Sequence, residues 1–174
     1  MKFQCIAFIL MMSQLCYADS LETSGNVLHI LIPASALVGS LYYENDFEGA
    51  IQSAKSGVVS RLAVEGLKHS FPNERPDHSG DDSFPSGHAA DTFAAATFVQ
   101  RRYGWRWAIP AYIGAGYVAY TRVEGDKHET EDVLAGALIG IGSAYYFSER
   151  YPGIAVTPVL DQDRGVGVSI NTSF

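Results

Sequence analysis

The chain has 174 residues, enough for one domain, with 12 Lys and Arg against 19 Asp and Glu and a net charge of −7. That balance excludes nucleic acid as a partner, because gripping a phosphate backbone takes a basic surface. Hydrophobic residues make up 47% of the chain, yet the mean hydropathy is only +0.03, which fits a soluble or membrane-skimming protein better than a fully embedded one.

Residues 1–18 read as an export signal. Lys2 gives a positive start, Cys5 to Met12 an apolar run, and Cys16 and Ala18 the small residues of a cleavage site before Asp19. The alternative is an uncleaved anchor that adds a sixth helix. Both cysteines, Cys5 and Cys16, fall in this segment, so the rest of the chain has neither a disulfide framework nor a thiol nucleophile. Residues 19–174 are expected to form one domain with a motif-bearing core at 47–147.

Five helices are expected after the signal, in an all-α antiparallel bundle. Asn26 can cap the first, Val27 to about Tyr43, which carries Pro33 and is short for a membrane span. From Phe47 to Lys68, Ile51, Ala54, Val58, Leu62 and Leu67 recur near helical spacing between charged residues. This predicts an amphipathic helix, ill suited to face lipid. A polar loop spans Ser70 to Phe84. The third helix runs from Ser86 to about Arg102, followed by a basic turn with Arg101, Arg102 and Arg106. The fourth covers Trp107 to Tyr120, and the fifth Asp132 to about Phe147, where Gly136, Gly140 and Gly142 allow close packing. The tail from Ile154 alternates weakly, as a short β-hairpin would.

Chemistry-bearing residues sit at the ends of these helices. Lys68 and Arg75 follow the second, Ser86 to His88 open the third, Arg122 ends the fourth, and His128 to Asp132 begin the fifth. Alternating helix directions bring all of them to one end of the bundle. Lys68, Arg75 and Arg122 match a phosphate dianion, arginine by its fork and lysine as a point charge. Ser86 and Gly87 add a hydroxyl and backbone N–H groups at a helix start. Asp132, four residues after His128, can orient its imidazole and free the other nitrogen to attack. Asp132 and the acidic residues around it are expected to raise the His128 pKa above its ordinary value, with the cations opposing.

The spacings resemble those of the type 2 phosphatidic acid phosphatase family, whose superfamily also holds bacterial class A acid phosphatases and vanadium haloperoxidases. The three motifs are Lys68, six residues, Arg75-Pro76; then Pro85-Ser86-Gly87-His88; then Thr121-Arg122, five residues, His128, three residues, Asp132. The resemblance covers about Phe47 to Tyr146. It implies a nucleophilic His128 that forms a phosphohistidine, an orienting Asp132, and a His88 that protonates the leaving group. It also implies phosphate binding by Lys68, Arg75, Ser86, Gly87 and Arg122, with no metal or other cofactor. Thr121 stands where the family usually has Ser and keeps a hydroxyl. The loop carboxylates Asp77, Asp81 and Asp82 repel a highly anionic substrate, and the reading of Asp77, His78, Asp81 and Asp82 as metal ligands is secondary to a solvated loop.

The expected activity is a metal-independent phosphatase acting on phosphomonoesters, foremost lipid phosphates. The alternatives are a soluble periplasmic acid phosphatase, a vanadium haloperoxidase and a non-catalytic membrane protein. An export signal places the site outside the cytoplasm, periplasmic or membrane-associated. Arg101, Arg102 and Arg106 at the far end fit the positive-inside rule.

Overall fold

The structure, a computed structural model, describes residues 2–44, 46–151, 154–161 and 165–172. Helix α1 runs Lys2–Tyr43, α2 Glu48–Ser70, α3 Gly87–Tyr103, α4 Trp105–Glu124 and α5 Thr130–Phe147. Strands β1 (Ile154–Asp161) and β2 (Gly165–Thr172) pair antiparallel, with Ile154 opposite Thr172 and Asp161 opposite Gly165. The bundle and the hairpin both match the sequence expectation. The turn at 162–164 lies outside the described residues.

α1 differs from expectation. It does not begin at Val27 but continues unbroken through the Ala18–Asp19 junction, so the N-terminal segment lengthens the first helix and does not make a sixth. Asn26 sits inside α1 and caps nothing. Gly25 alone does not break a helix, costing about 1 kcal/mol against alanine, and the chain stays helical through Pro33. The segment is therefore not short: Ser20–Tyr43, 24 residues, is long and apolar enough to cross a membrane.

α3 is the centre of the bundle and touches all four other helices. Its sequence explains why. Ala89, Ala90, Ala94, Ala95 and Ala96 are buried, and such small side chains let neighbouring backbones approach from several sides. Phe98, fully buried, fills the space beyond them together with Ile32, Val118 and Ala144. On α5, a Cβ built at Gly136 would lie 2.2 Å from the Ser86 carbonyl oxygen, and one at Gly140 2.1 Å from that of Ala90. Gly142, the third glycine of the stripe, meets nothing within 4 Å.

α2 reverses the expected burial. Its polar Gln52, Ser56 and Ser60 point inward, while Ile51, Val58 and Leu62 point out. The pattern recurs on every outer helix: Ile30, Leu62, Ile113 and Leu138, from α1, α2, α4 and α5, are 67%, 67%, 69% and 69% exposed. Exposed apolar surface of that extent marks a contact with something other than water.

The end of the bundle away from the motifs is closed by ion pairing. Arg102 Nε and Nη2 each donate to the Glu44 carboxylate at 2.6 Å, and Nη1 donates to Gln52 Oε1 at 3.1 Å. Tyr103 Oη donates to Glu44 at 2.5 Å. The Arg102 and Glu44 side chains are 2% and 0% exposed. Leaving either unpaired there costs on the order of 3–5 kcal/mol. Arg102 is thus an internal strut linking α1, α2 and α3, not part of an exposed basic turn.

Candidate active site

The third motif is shaped by the turn between α4 and α5. The chain folds back so that the N–H groups of Lys127 and His128 both donate to the Arg122 carbonyl, at 3.0 and 3.1 Å. A capping box then starts α5: Glu129 N–H donates to Asp132 Oδ2 at 3.0 Å. These bonds fix His128 between the end of one helix and the start of the next.

His128 and Asp132 are buried, at 4% and 2% exposure, with Nδ1 3.6 Å from Oδ2. That is too long for a direct hydrogen bond. The reason is competition for Oδ2, which accepts both the Glu129 N–H and the hydroxyl of Ser83. Ser83, fully buried, also lies 3.4 Å from His128 Nδ1 and so stands between the two. The sequence carried no signal for Ser83, one of several serines in a polar loop. Asp132 and Ser83 both flank Nδ1, leaving Nε2 as the nitrogen turned away from them.

The expected upward pKa shift of His128 is reversed: its pKa is pushed down to about 4. Burial is the largest cause, since it disfavours the imidazolium, followed by the positive charges of Arg75 and Lys68. Asp132 opposes them and is outweighed. The imidazole is therefore neutral, the form with a nucleophilic lone pair, throughout the mildly acidic range.

The loop before α3 is well organised. Asn73 N–H donates to Asp81 O at 3.0 Å, Arg75 N–H to Gly80 O at 2.8 Å, and Ser83 N–H to Asn73 O at 2.9 Å. Asp77 N–H joins the loop to the α4–α5 turn through Asp126 O at 3.0 Å. Its carboxylates hold cations. Asp77 accepts from Lys127 Nζ at 2.8 Å, which keeps its carboxyl well below the usual range. Asp82 accepts from Arg75 at 2.9 and 3.1 Å, lies 3.6 Å from Lys68 Nζ, and is likewise held low by Arg75. Lys68 also donates to the Asp82 carbonyl. Two of the three expected phosphate-binding cations are thus pre-assembled around one carboxylate of the chain itself. Among the described residues no cluster of three metal-ligating side chains forms.

The second motif joins the third through the backbone, with Ser86 N–H donating to the Asp132 carbonyl at 2.9 Å. Ser86 Oγ and Arg122 Nε are buried with no hydrogen-bond partner. Such orphaned donors cost about 1–3 kcal/mol each and suit a site that takes up an anion. A Cβ at Gly87 would lie 2.6 Å from Arg61 Nη1, so the Arg61 side chain occupies the space beside this glycine. Thr121 keeps its hydroxyl inside α4, donating to Val118 O at 2.8 Å.

A further element was not foreseen at this site. α1 lies along it: Arg122 Nη2 donates to the Glu22 carbonyl at 3.1 Å, and Asn26 Oδ1 is 2.9 Å from His88 Nε2. The extension of α1 before Val27, unforeseen from the sequence, places Glu22 in this helix beside Arg122.

The model of the PAP2 superfamily matches residues 64–153, slightly more than half the chain and all three motifs. The chain belongs to the PAP2 superfamily. It is 34% identical to a lipid A 4'-phosphatase of Helicobacter pylori over 75% of this chain and 71% of that one. A crystal structure of LpxE from Aquifex aeolicus superposes with a TM-score of 0.64 at 22% identity, covering 75% of this chain and 84% of that chain. The crystal structure of a transmembrane PAP2-type phosphatidylglycerolphosphate phosphatase from Bacillus subtilis gives 0.58 at 24% identity, covering 75% and 73%. The PAP2 helical bundle is therefore the fold of this chain.

Two outcomes follow for this PAP2 site. The His128 ring, followed by NMR, titrates with a midpoint near 4 and not near 6.5, and Arg75→Met moves the midpoint upward by removing the stronger of the two cationic effects. A midpoint at or above 6.5 contradicts the assignment of burial and cations as dominant. Asp82→Asn frees Lys68 and Arg75 and lowers the inhibition constant for inorganic phosphate about fivefold, equivalent to ~1 kcal/mol of half-exposed ion pairing. An unchanged or raised constant shows that Asp82 does not compete with phosphate.

Proposed function

We propose that this PAP2-type phosphatase removes phosphate from phosphorylated lipids at a membrane surface, with His128 as nucleophile. The observation that carries the reading is the buried, neutral imidazole of His128, flanked on Nδ1 by Ser83 and Asp132 and set beside Lys68, Arg75 and Arg122.

His128 Nε2 attacks phosphorus, and the bond to the leaving oxygen breaks with its electron pair going to that oxygen. His88 supplies the proton that neutralises it. Water then attacks the phosphohistidine, gives a proton back to His88, and the P–N pair returns to His128. Lys68, Arg75 and Arg122, with Ser86 and the backbone at Gly87, hold the non-reacting oxygens and offset the charge that builds on them. Asp132 and Ser83 keep the His128 ring in one orientation.

The lipid assignment rests on the aliphatic side chains exposed on every outer helix, which bilayer tails would cover. They argue against a soluble acid phosphatase. The similarity to the Helicobacter pylori lipid A 4'-phosphatase makes lipid A the first substrate to test. We read residues 1–18 as retained, because α1 is continuous across the expected cleavage site. Residues 19–174 remain one catalytic domain in this reading. The site faces out of the cytoplasm, with Arg101 and Arg106 at the opposite, cytoplasmic end.

Purified protein given phosphate-labelled lipid A, phosphatidate and phosphatidylglycerophosphate should release phosphate from at least one of them. Rapid quenching should trap a base-stable, acid-labile phosphoenzyme. His128→Ala should fold, form no phosphoenzyme and lose turnover by on the order of 10³-fold or more. Normal turnover in folded His128→Ala overturns the mechanism, and activity confined to soluble phosphate esters overturns the lipid assignment.

A further inference from the structure

His88, the proposed acid, is held by residues outside the three motifs. Asn26 and His29 lie three apart on α1 and share one face of it, as His88 and Asp91 share one face of α3. The two faces meet. Asn26 Oδ1 is 2.9 Å from His88 Nε2. The His29 ring lies over the His88 ring, centroids 4.0 Å apart and tilted by 32°. His29 Nε2 is in turn 2.8 Å from Asp91 Oδ2, which also accepts from Arg61 Nη2. The same face of α1 continues to Gly25, where a Cβ would lie 2.1 Å from Thr121 Oγ1 and 3.0 Å from Arg122 Nη2, and to the Glu22 carbonyl bonded to Arg122. α1 thus packs closely against the site.

An amide oxygen only accepts hydrogen bonds, so the imidazole nitrogen facing it carries a proton in both the neutral and the charged ring. A neutral imidazole has one protonated nitrogen, and the other holds the lone pair. We propose that Asn26 is a positioning residue that commits His88 to react through Nδ1, and that His29, braced by Asp91 and Arg61, keeps the ring from turning. This rests on the reading of His88 as the acid. In the first step the imidazolium gives its Nδ1 proton to the leaving oxygen as the P–O bond breaks. In the second the Nδ1 lone pair takes a proton from the attacking water as the P–N bond to His128 breaks. Nε2–H stays on Asn26 throughout, so no proton is lost to a ring flip between the steps.

The test uses the full chain in detergent with two monoesters, p-nitrophenyl phosphate, which leaves without a proton, and a short-chain phosphatidate, which does not. Asn26→Leu should lower the rate of phosphoenzyme formation from phosphatidate, followed by rapid quenching, at least about tenfold, the middle of the usual range for a weakened general acid being higher. It should change the rate of phosphoenzyme formation from p-nitrophenyl phosphate, the step that needs no leaving-group proton, less than about threefold and leave the inhibition constant for inorganic phosphate unchanged. Asn26→Asp, which keeps an acceptor oxygen, should restore most of the phosphatidate activity. His88→Asn, run beside them, should show the same selectivity. If His88→Asn is selective and Asn26→Leu is not, the positioning role is wrong and His88 remains the acid. If His88→Asn itself slows phosphoenzyme formation from both substrates equally, the acid reading fails. Should Asn26→Leu not fold, the ¹⁵N shifts of His88 in the wild type at pH 8 decide the matter. A protonated Nε2 is expected, and a protonated Nδ1 overturns the proposal.

Discussion

The site depends on how closely α5 approaches α3. A helix start carries its orphaned N–H groups wherever its backbone goes, and here the start of α3 is pressed against α5 until Ser86 N–H reaches the Asp132 carbonyl at 2.9 Å. Only glycine allows this at Gly136 and Gly140, where any side chain would run into a carbonyl oxygen. That contact carries the second motif to the third. Ser86, Gly87 and His88 are thereby brought beside His128 and Asp132. The first motif is brought in by the loop, whose bonds from Asn73, Arg75 and Ser83 place Arg75 over Asp82 and Ser83 over Asp132.

A cluster of cations assembled in a partly buried site repels itself unless something offsets it. Asp82 does so for Lys68 and Arg75, Asp77 for Lys127, and the Glu22 carbonyl supplies Arg122 with an acceptor. These partners are neither equally buried nor equally strong. Asp82 is half exposed, whereas Asp132 is enclosed and hydrogen-bonded by Ser83 and Glu129. His128 is buried and feels Arg75 and Lys68 more than Asp132, which is why it stays neutral.

The sequence made the motifs and their convergence legible, because three spaced sets of charged and hydroxyl residues at helix ends have few other uses. It also placed α3, α4, α5 and the hairpin within a few residues. Three things were not legible. The length of α1 was hidden because a signal-like segment and a following apolar helix read the same whether joined or separate. The face of α2 was misassigned because helical periodicity shows that a stripe exists and not which medium it faces; Val58 and Leu62 turn outward and Ser56 and Ser60 inward. Ser83 and Asn26 were missed because each is a lone polar residue whose partner, Asp132 or His88, is about 50 or 60 positions away.

The claim that backbone contact between α3 and α5 assembles the site is tested most directly by comparing glycines on one helix. Gly136→Ala and Gly142→Ala add the same methyl group to α5, and helix propensity favours both by about 1 kcal/mol. At Gly136 the methyl meets the Ser86 carbonyl at 2.2 Å, and at Gly142 it meets nothing within 4 Å. The account predicts that Gly142→Ala keeps wild-type kcat/KM while Gly136→Ala, still helical by circular dichroism, loses at least about tenfold, the ~1.4 kcal/mol that a small misplacement of reacting groups readily costs. Equal activity in the two variants would contradict it.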